Sequence, residues 1–248
     1  MSGNIFLFLF ICLLGLQIGC QTGQATSAGT LNLPITEDTI SDDDIQELFI
    51  DSGLGEDDGN FKKLMALPRE RVVEIVQKLK DNGIRQAERG YQSENQSDDL
   101  KLKSAYFLWK LGVNADENEK YIVEATKSKE SSLRLEAIGW LCVIAGNGKA
   151  EHLPVILKST PQADGFYAEG LQGFFIGELL SEPKVFLLYL SKEDLKVRRS
   201  VYELIASTDE MWGQEKMDKV NTAVRALKDD KETEKIVEEF LREVRKRQ

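Results

Sequence analysis

The sequence predicts an all-α fold, an α-solenoid of stacked helix pairs with a period of about 32 residues. Three observations predict it. Proline beyond residue 60 occurs only at 68, 154, 161 and 183. Apolar residues in the same stretch recur every three to four positions, the spacing of one helix face, with no convincing strand alternation. Strongly apolar segments also return at a nearly constant interval.

The 248 residues, 42% apolar and 30% charged, describe a globular chain rather than a disordered, collagenous or polytopic one. The formal charge is −10, which excludes a general nucleic-acid binder because little here would neutralise a run of phosphates. A single histidine removes most zinc sites and His-based triads. The acidity sits at the front: no Lys or Arg precedes Lys62, whereas ten of the 42 acids do, leaving 32 acids against 32 bases in the rest. That break near residue 60 is the natural boundary between a front segment and a body.

Ile5–Leu16 (IFLFLFICLLGL) is too short to span hydrocarbon, which takes about 20 apolar residues, and it has the length of a secretory signal core. Leu16-Gln17-Ile18-Gly19-Cys20 follows, and then a small, polar stretch to Thr30. These residues resemble a bacterial lipobox, although Gln17 stands where the pattern has an aliphatic residue and no Lys or Arg precedes the apolar run. The resemblance implies a signal peptide over 1–19, diacylation of Cys20, and a cell-envelope lipoprotein. Two or more acyl chains hold a protein to a membrane stably, so Cys20 would anchor it without a spanning helix. Residues 20–40 form the expected flexible tether. With Cys12 removed and Cys20 lipidated, Cys142 alone remains and no intramolecular disulfide forms.

Residues 41–60 form an acidic segment with a short helix, Ser41 capping it and Ile45, Leu48 and Phe49 making its stripe. The acids around Gly53 and Gly55 lack the alternating ligand order of a calcium loop, so they read as a solvated face. Helix ends are expected at Asn82-Gly83, Gly112 and Gly146-Asn147-Gly148, where Gly closes the last turn.

The body, 61–230, carries the repeat. Cap residues at Asp98, Ser131, Asp164 and Asp194 stand 33, 33 and 30 apart. Each precedes an apolar first helix (104–112, 135–146, 167–180, 197–207), and more amphipathic second helices follow at 118–128, 150–158, 182–191 and 214–228. Leu133-Arg134-x-x-Ala137 returns as Val197-Arg198-x-x-Val201, and an earlier copy falls at Val73. On the cap, the aliphatic-Arg-x-x-Ala core and the paired helices, the body resembles the HEAT-repeat family in its shorter bacterial form. It departs from that family in its period, against the usual 40–47 or so, and in lacking the basic residue in the Asp164 copy. The segment 136–145, with Ile138, Leu141, Cys142 and Ala145 on one face and Trp140 and Val143 on another, belongs mid-stack. Residues 231–248, with Ile236, Val237, Phe240, Leu241 and Val244 in one stripe, suit a capping helix.

No catalytic, cofactor or metal-binding set assembles in this sequence. Cys142 and His152 are the one thiol–imidazole pair; Cys142 lies among apolar neighbours as a packed thiol, and His152 is expected on the exposed edge of its helix. Arg242, Arg245, Lys246 and Arg247 read as cations serving the helix C-terminus. The expected function is a membrane-anchored, non-enzymatic scaffold that meets protein partners in the cell envelope. It would use its second helices and bind neither nucleic acid nor a small-molecule substrate. The alternative is a secreted or periplasmic enzyme or accessory subunit on the same scaffold.

Overall fold

A computed structural model describes residues 40–49, 58–93, 96–207, 214–228 and 230–247, and every regular element among them is helical. The expected signal peptide, Cys20 and the tether up to residue 39 lie outside the described residues. The chain divides into two units, whose described parts are 40–133 and 134–247.

In the first unit, α1 (Asp42–Phe49) and α2 (Asp58–Met65) pack on the long α3 (Arg69–Gln92). The Ile45 amide donates to the Ser41 carbonyl at 3.1 Å, so the helix starts where Ser41 predicts. Ile40, the last residue of the expected tether, is buried with Ile45, Leu64, Val72, Val76 and Leu111 in one apolar cluster. Arg69 holds this end down: its Nη1 donates to Asp42 Oδ1 and its Nη2 to the Ile40 carbonyl, both at 2.6 Å. The acidic segment's helix is therefore built into a core by its apolar face, with Asp42 and Asp43 outside.

Helix α3 does not end at Asn82-Gly83 but continues to Gln92. Glycine is there for proximity: a Cβ on Gly83 would stand 2.8 Å from Phe107 Cζ, and one on Gly90 would stand 3.0 Å from Ser104 Oγ. Both neighbours belong to α4 (Asp98–Lys110), and seven residues is two helical turns, so the two glycines floor one shallow groove for α4. Gly112 does terminate its helix. At φ 70° it closes α4 as a Schellman motif, with Gly112 N–H donating to Trp109 O and Val113 N–H to Leu108 O, each at 2.9 Å. Asn118 then fixes the entry to α5 (Ala115–Ala125) by donating from Nδ2 to the Val113 and Asn114 carbonyls at 2.8 and 3.2 Å.

The boundary between the units falls inside α6 (Ser131–Gly146). Within the second unit, Ala137, Ile138, Trp140, Leu141, Cys142, Ile144 and Ala145 are buried, as a two-faced helix requires. The chain continues through α7 (Leu153–Ser159), α8 (Gly165–Ser181), α9 (Pro183–Ser191), α10 (Leu195–Ala206), α11 (Gln214–Arg225) and α12 (Glu234–Arg245). Of the four expected caps, Asp164 and Asp194 hold cap positions; Asp98 and Ser131 are the first helical residues, and Ser97 precedes Asp98 as cap. Only Asp194 shows the side-chain bond among the three helices whose caps are described, accepting from Val197 N at 2.9 Å.

Helix α8 is apolar all round, with Leu171 to Ile176 buried without interruption. It packs on α9, α10 and α11. Phe175 meets Phe186 of α9 with ring centroids 5.5 Å apart. Gln172, buried in α8, donates to the Leu204 carbonyl at 2.6 Å and to Ser207 Oγ at 3.0 Å, satisfying the C-terminal end of α10. Helix α12 buries Ile236, Val237, Phe240 and Val244 on one side, the predicted stripe without Leu241, which is half-exposed. It is fastened to α10 by Glu239, whose Oε1 accepts from Arg198 Nε at 2.9 Å and from Tyr202 Oη at 3.1 Å. The ring of Tyr202 meets Phe240 edge-on at 5.9 Å.

Two stability outcomes follow. Gly83→Ala gains about 1 kcal/mol of helix propensity and loses more than that in displacing the Phe107 ring, for a net loss of about 1 kcal/mol in chemical denaturation. Glu239→Ala leaves the Tyr202 hydroxyl buried without its acceptor and costs about 2 kcal/mol by the same measurement.

Candidate functional site

Two second helices of the body that pack together, α7 and α9, carry half-exposed apolar side chains. Helix α7 opens with Pro154 in its first turn, a position that needs no amide donor, and α9 opens likewise with Pro183. Helix α9 turns Phe186, Leu187 and Leu190 inward, which the helical period requires to leave Val185, Leu188 and Tyr189 half-exposed. Helix α7 packs on α9 and presents half-exposed Pro154 and Val155. The Lys192 ammonium stands 5.1 Å from the centre of the Tyr189 ring, a cation–π contact that holds the ring at the surface. This face offers half-exposed apolar area with the Lys192 cation beside it.

Cys142 is buried, as its apolar neighbours predict, and is a free thiol. His152 is buried too, contrary to the exposed edge expected of it. The segment 150–158 is not one helix: Ala150–His152 is a 3₁₀ turn, and α7 begins only at Leu153. Three residues per turn instead of 3.6 rotates His152 away from the face that an α-helical wheel assigns.

Inside the second unit, Tyr167 Oη donates to Ser159 Oγ at 2.9 Å, and Ser159 Oγ donates to the Ile156 carbonyl at 2.6 Å. Burial pushes the Tyr167 phenol far up, so it acts as a neutral donor at any physiological pH. This hydroxyl chain closes the end of α7 and holds the start of α8 against it.

Glu178 is the buried ionisable group that sequence reasoning missed. It sits on α8, one helical turn beyond Phe174 and Phe175, and burial pushes its carboxyl up to about 7, with the neighbouring Glu182 charge adding to the effect. Gly146, at the end of α6, leaves room for it: a Cβ there would stand 3.9 Å from Glu178 Oε1. The signal was present in the sequence as an acid set between apolar runs, Phe174-Phe175-Ile176 before it and Leu179-Leu180 after it.

The C-terminal cations do more than serve the end of their helix. Glu243 gathers three of them, with Arg247 Nη1, Lys246 Nζ and Arg242 Nε at 3.0, 3.0 and 3.2 Å. Hydrogen bonds from Arg247, Lys246 and Arg242 hold its carboxyl down at about 2. Three of the four cations at that end are thus gathered around one carboxylate.

No protein-family model, curated protein or solved structure matches this chain. The class that the coordinates define is an all-helical protein over the described residues.

Glu178 generates a pH prediction. Its folded-state value of about 7 lies above the ordinary 4.5, so folding takes up a proton and the ionised form opposes the fold. The penalty is absent below pH 4.5, grows as pH rises to about 7, and is full above that. Glu178→Gln therefore raises the melting temperature at pH 8, by about 2 kcal/mol of stability, and changes little at pH 4.

Proposed function

We propose that this chain is a membrane-tethered cell-envelope scaffold of HEAT-like helix pairs that binds protein partners on its second helices. The observation that carries the reading is the half-exposed apolar face of α7 and α9, with Val155, Val185, Leu188 and Tyr189 on two helices that pack together. First helices in the same unit turn more of their apolar residues inward: α8 and α10 pack on each other, burying Leu171, Ile176 and Leu179 of one and Val197, Val201 and Ile205 of the other, although Phe166 and Leu195 in their first turns are exposed. That division of labour, more deeply buried first helices and partly open second helices, supports a stacked-repeat body with an extended binding face. The inward-facing Val197 and Val201 of the repeated motif, and Leu133 and Ala137 in the earlier copy, support the period of about 32 residues.

The tether is Cys20, lipidated after removal of residues 1–19. Burial of Cys142 leaves the remaining thiol out of reach of an external substrate, which favours the scaffold over a thiol enzyme.

Two measurements test this reading. Intact mass spectrometry of protein extracted from membranes returns a chain beginning at acylated Cys20; an uncut N-terminus refutes the anchor. A photo-crosslinker at Leu188 captures one discrete protein partner in the envelope, and Leu188→Ser with Tyr189→Ser abolishes capture while the melting temperature moves by only a few degrees. Capture that is absent, or unaffected by the double variant, refutes the binding face.

A further inference from the structure

Two Asn-Gly pairs occur in this chain, Asn82-Gly83 and Asn147-Gly148. Asparagine is thermolabile, and a following glycine makes it more so, because no Cβ hinders the glycine nitrogen from swinging onto the Asn Cγ. That attack needs a backbone free to rotate at the asparagine and a glycine amide free of its hydrogen bond. The interior of an α-helix denies both, since it fixes φ and ψ and ties each amide to the carbonyl four residues back. Structure therefore separates the two pairs.

Asn82-Gly83 is held. It lies inside α3, with helix continuing on both sides. A Cβ on Gly83 would stand 2.8 Å from Phe107 Cζ, so the backbone there has little room to turn. Asn82 Oδ1 also accepts from Arg85 Nη2.

Asn147-Gly148 is open. Helix α6 ends at Gly146, and residues 146–148 are exposed. The Asn147 amide is shared between the Val143 and Ile144 carbonyls at 3.1 and 3.2 Å, the divided bond of a helix terminus. Gly148, at φ 93°, would have nothing within 4 Å of a Cβ. Its amide donates to the Ala145 carbonyl at 3.0 Å, a bond at the end of the helix, where opening costs almost nothing. The Asn147 carboxamide donates from Nδ2 to the Val143 carbonyl at 2.8 Å, on the exposed side of the turn.

We propose that Asn147 is a self-modifying site, converting in water to aspartate and isoaspartate and so loosening the end of α6. The Gly148 nitrogen bonds to Asn147 Cγ, the Cγ–Nδ2 bond breaks, and Nδ2 leaves as ammonia with the Gly148 amide proton. The cyclic imide then takes up one water. Water that breaks the new Cγ–N bond leaves aspartate. Water that breaks the bond from the Asn147 carbonyl carbon to that nitrogen leaves isoaspartate, with the main chain rerouted through the side chain. Either product loses the donor to the Val143 carbonyl and sets a negative charge at the negative end of the α6 dipole. The new charge lies one residue from Gly146, where a Cβ would stand 3.9 Å from Oε1 of the buried Glu178.

The test incubates the full chain at mildly alkaline pH, folded or in urea, and digests it for mass spectrometry that separates aspartate from isoaspartate. In the folded chain Asn147 converts at least about tenfold faster than Asn82, a margin that about 1.4 kcal/mol of extra local opening provides. In urea the two rates converge. Asn147→Asp reproduces the consequence and lowers the melting temperature by about 2–4 °C, the size of one lost hydrogen bond in a chain of this length. Folded Asn147 that converts no faster than Asn82 overturns the proposal, and so does a product that is aspartate alone, since direct hydrolysis forms no imide. A difference that survives in urea assigns the rates to sequence neighbours and overturns the structural argument. An Asn147→Asp variant that melts with the parent overturns the loosening of α6.

Discussion

Helix α8 has no polar face, and the arrangement of its unit follows from that. Six consecutive residues from Leu171 to Ile176, with Leu179 beyond them, are removed from water, so neighbours must cover the helix on every side. Helices α9, α10 and α11 do so. Burying one large apolar side chain is worth about 2 kcal/mol, and α8 buries Leu171, Phe174, Phe175, Ile176 and Leu179 together. The buried polar groups along it either find partners or alter their chemistry. Gln172 donates to the Leu204 carbonyl and the Ser207 hydroxyl at the end of α10, whereas Glu178 holds its proton to near neutrality. The same helix thus dictates both the packing of its neighbours and the one strongly pH-sensitive group of its interior.

Cys142, His152, Tyr167 and Glu178 are all withdrawn from solvent to a large degree, and the hydrogen bonds described for Tyr167 end on the backbone of α7. Among the described residues, Val155, Val185, Leu188 and Tyr189 are half-exposed on α7 and α9, which pack together, and Phe166 and Leu195 are exposed in the first turns of α8 and α10.

The helical class, the two-faced α6 and the one-sided α12 were legible because periodicity reports which faces need covering, and that pattern is local. The Schellman end at Gly112 was legible for the same reason, since the turn is closed by residues 108 to 113 alone. Gly83 was not. The same letter serves a helix terminus and a close helix crossing, and only the position of Phe107, 24 residues on, separates the two. His152 was misplaced because a 3₁₀ turn changes the angular step over three residues that no composition marks. Glu178 was hidden by the general rule that glutamate faces water, a rule that fails where a helix is apolar all round. The caps fell within a residue of their expected positions, and Asp194 supplies the side-chain hydrogen bond that makes a cap energetically useful.

Native-state hydrogen exchange across a low-denaturant series probes the central constraint most directly. If enclosure of α8 organises its unit, the amides of 171–179 exchange only through global unfolding, while those of α12, covered on one side, open in smaller local events. Amides of α8 that exchange by local opening, with α12 still protected, would contradict the account.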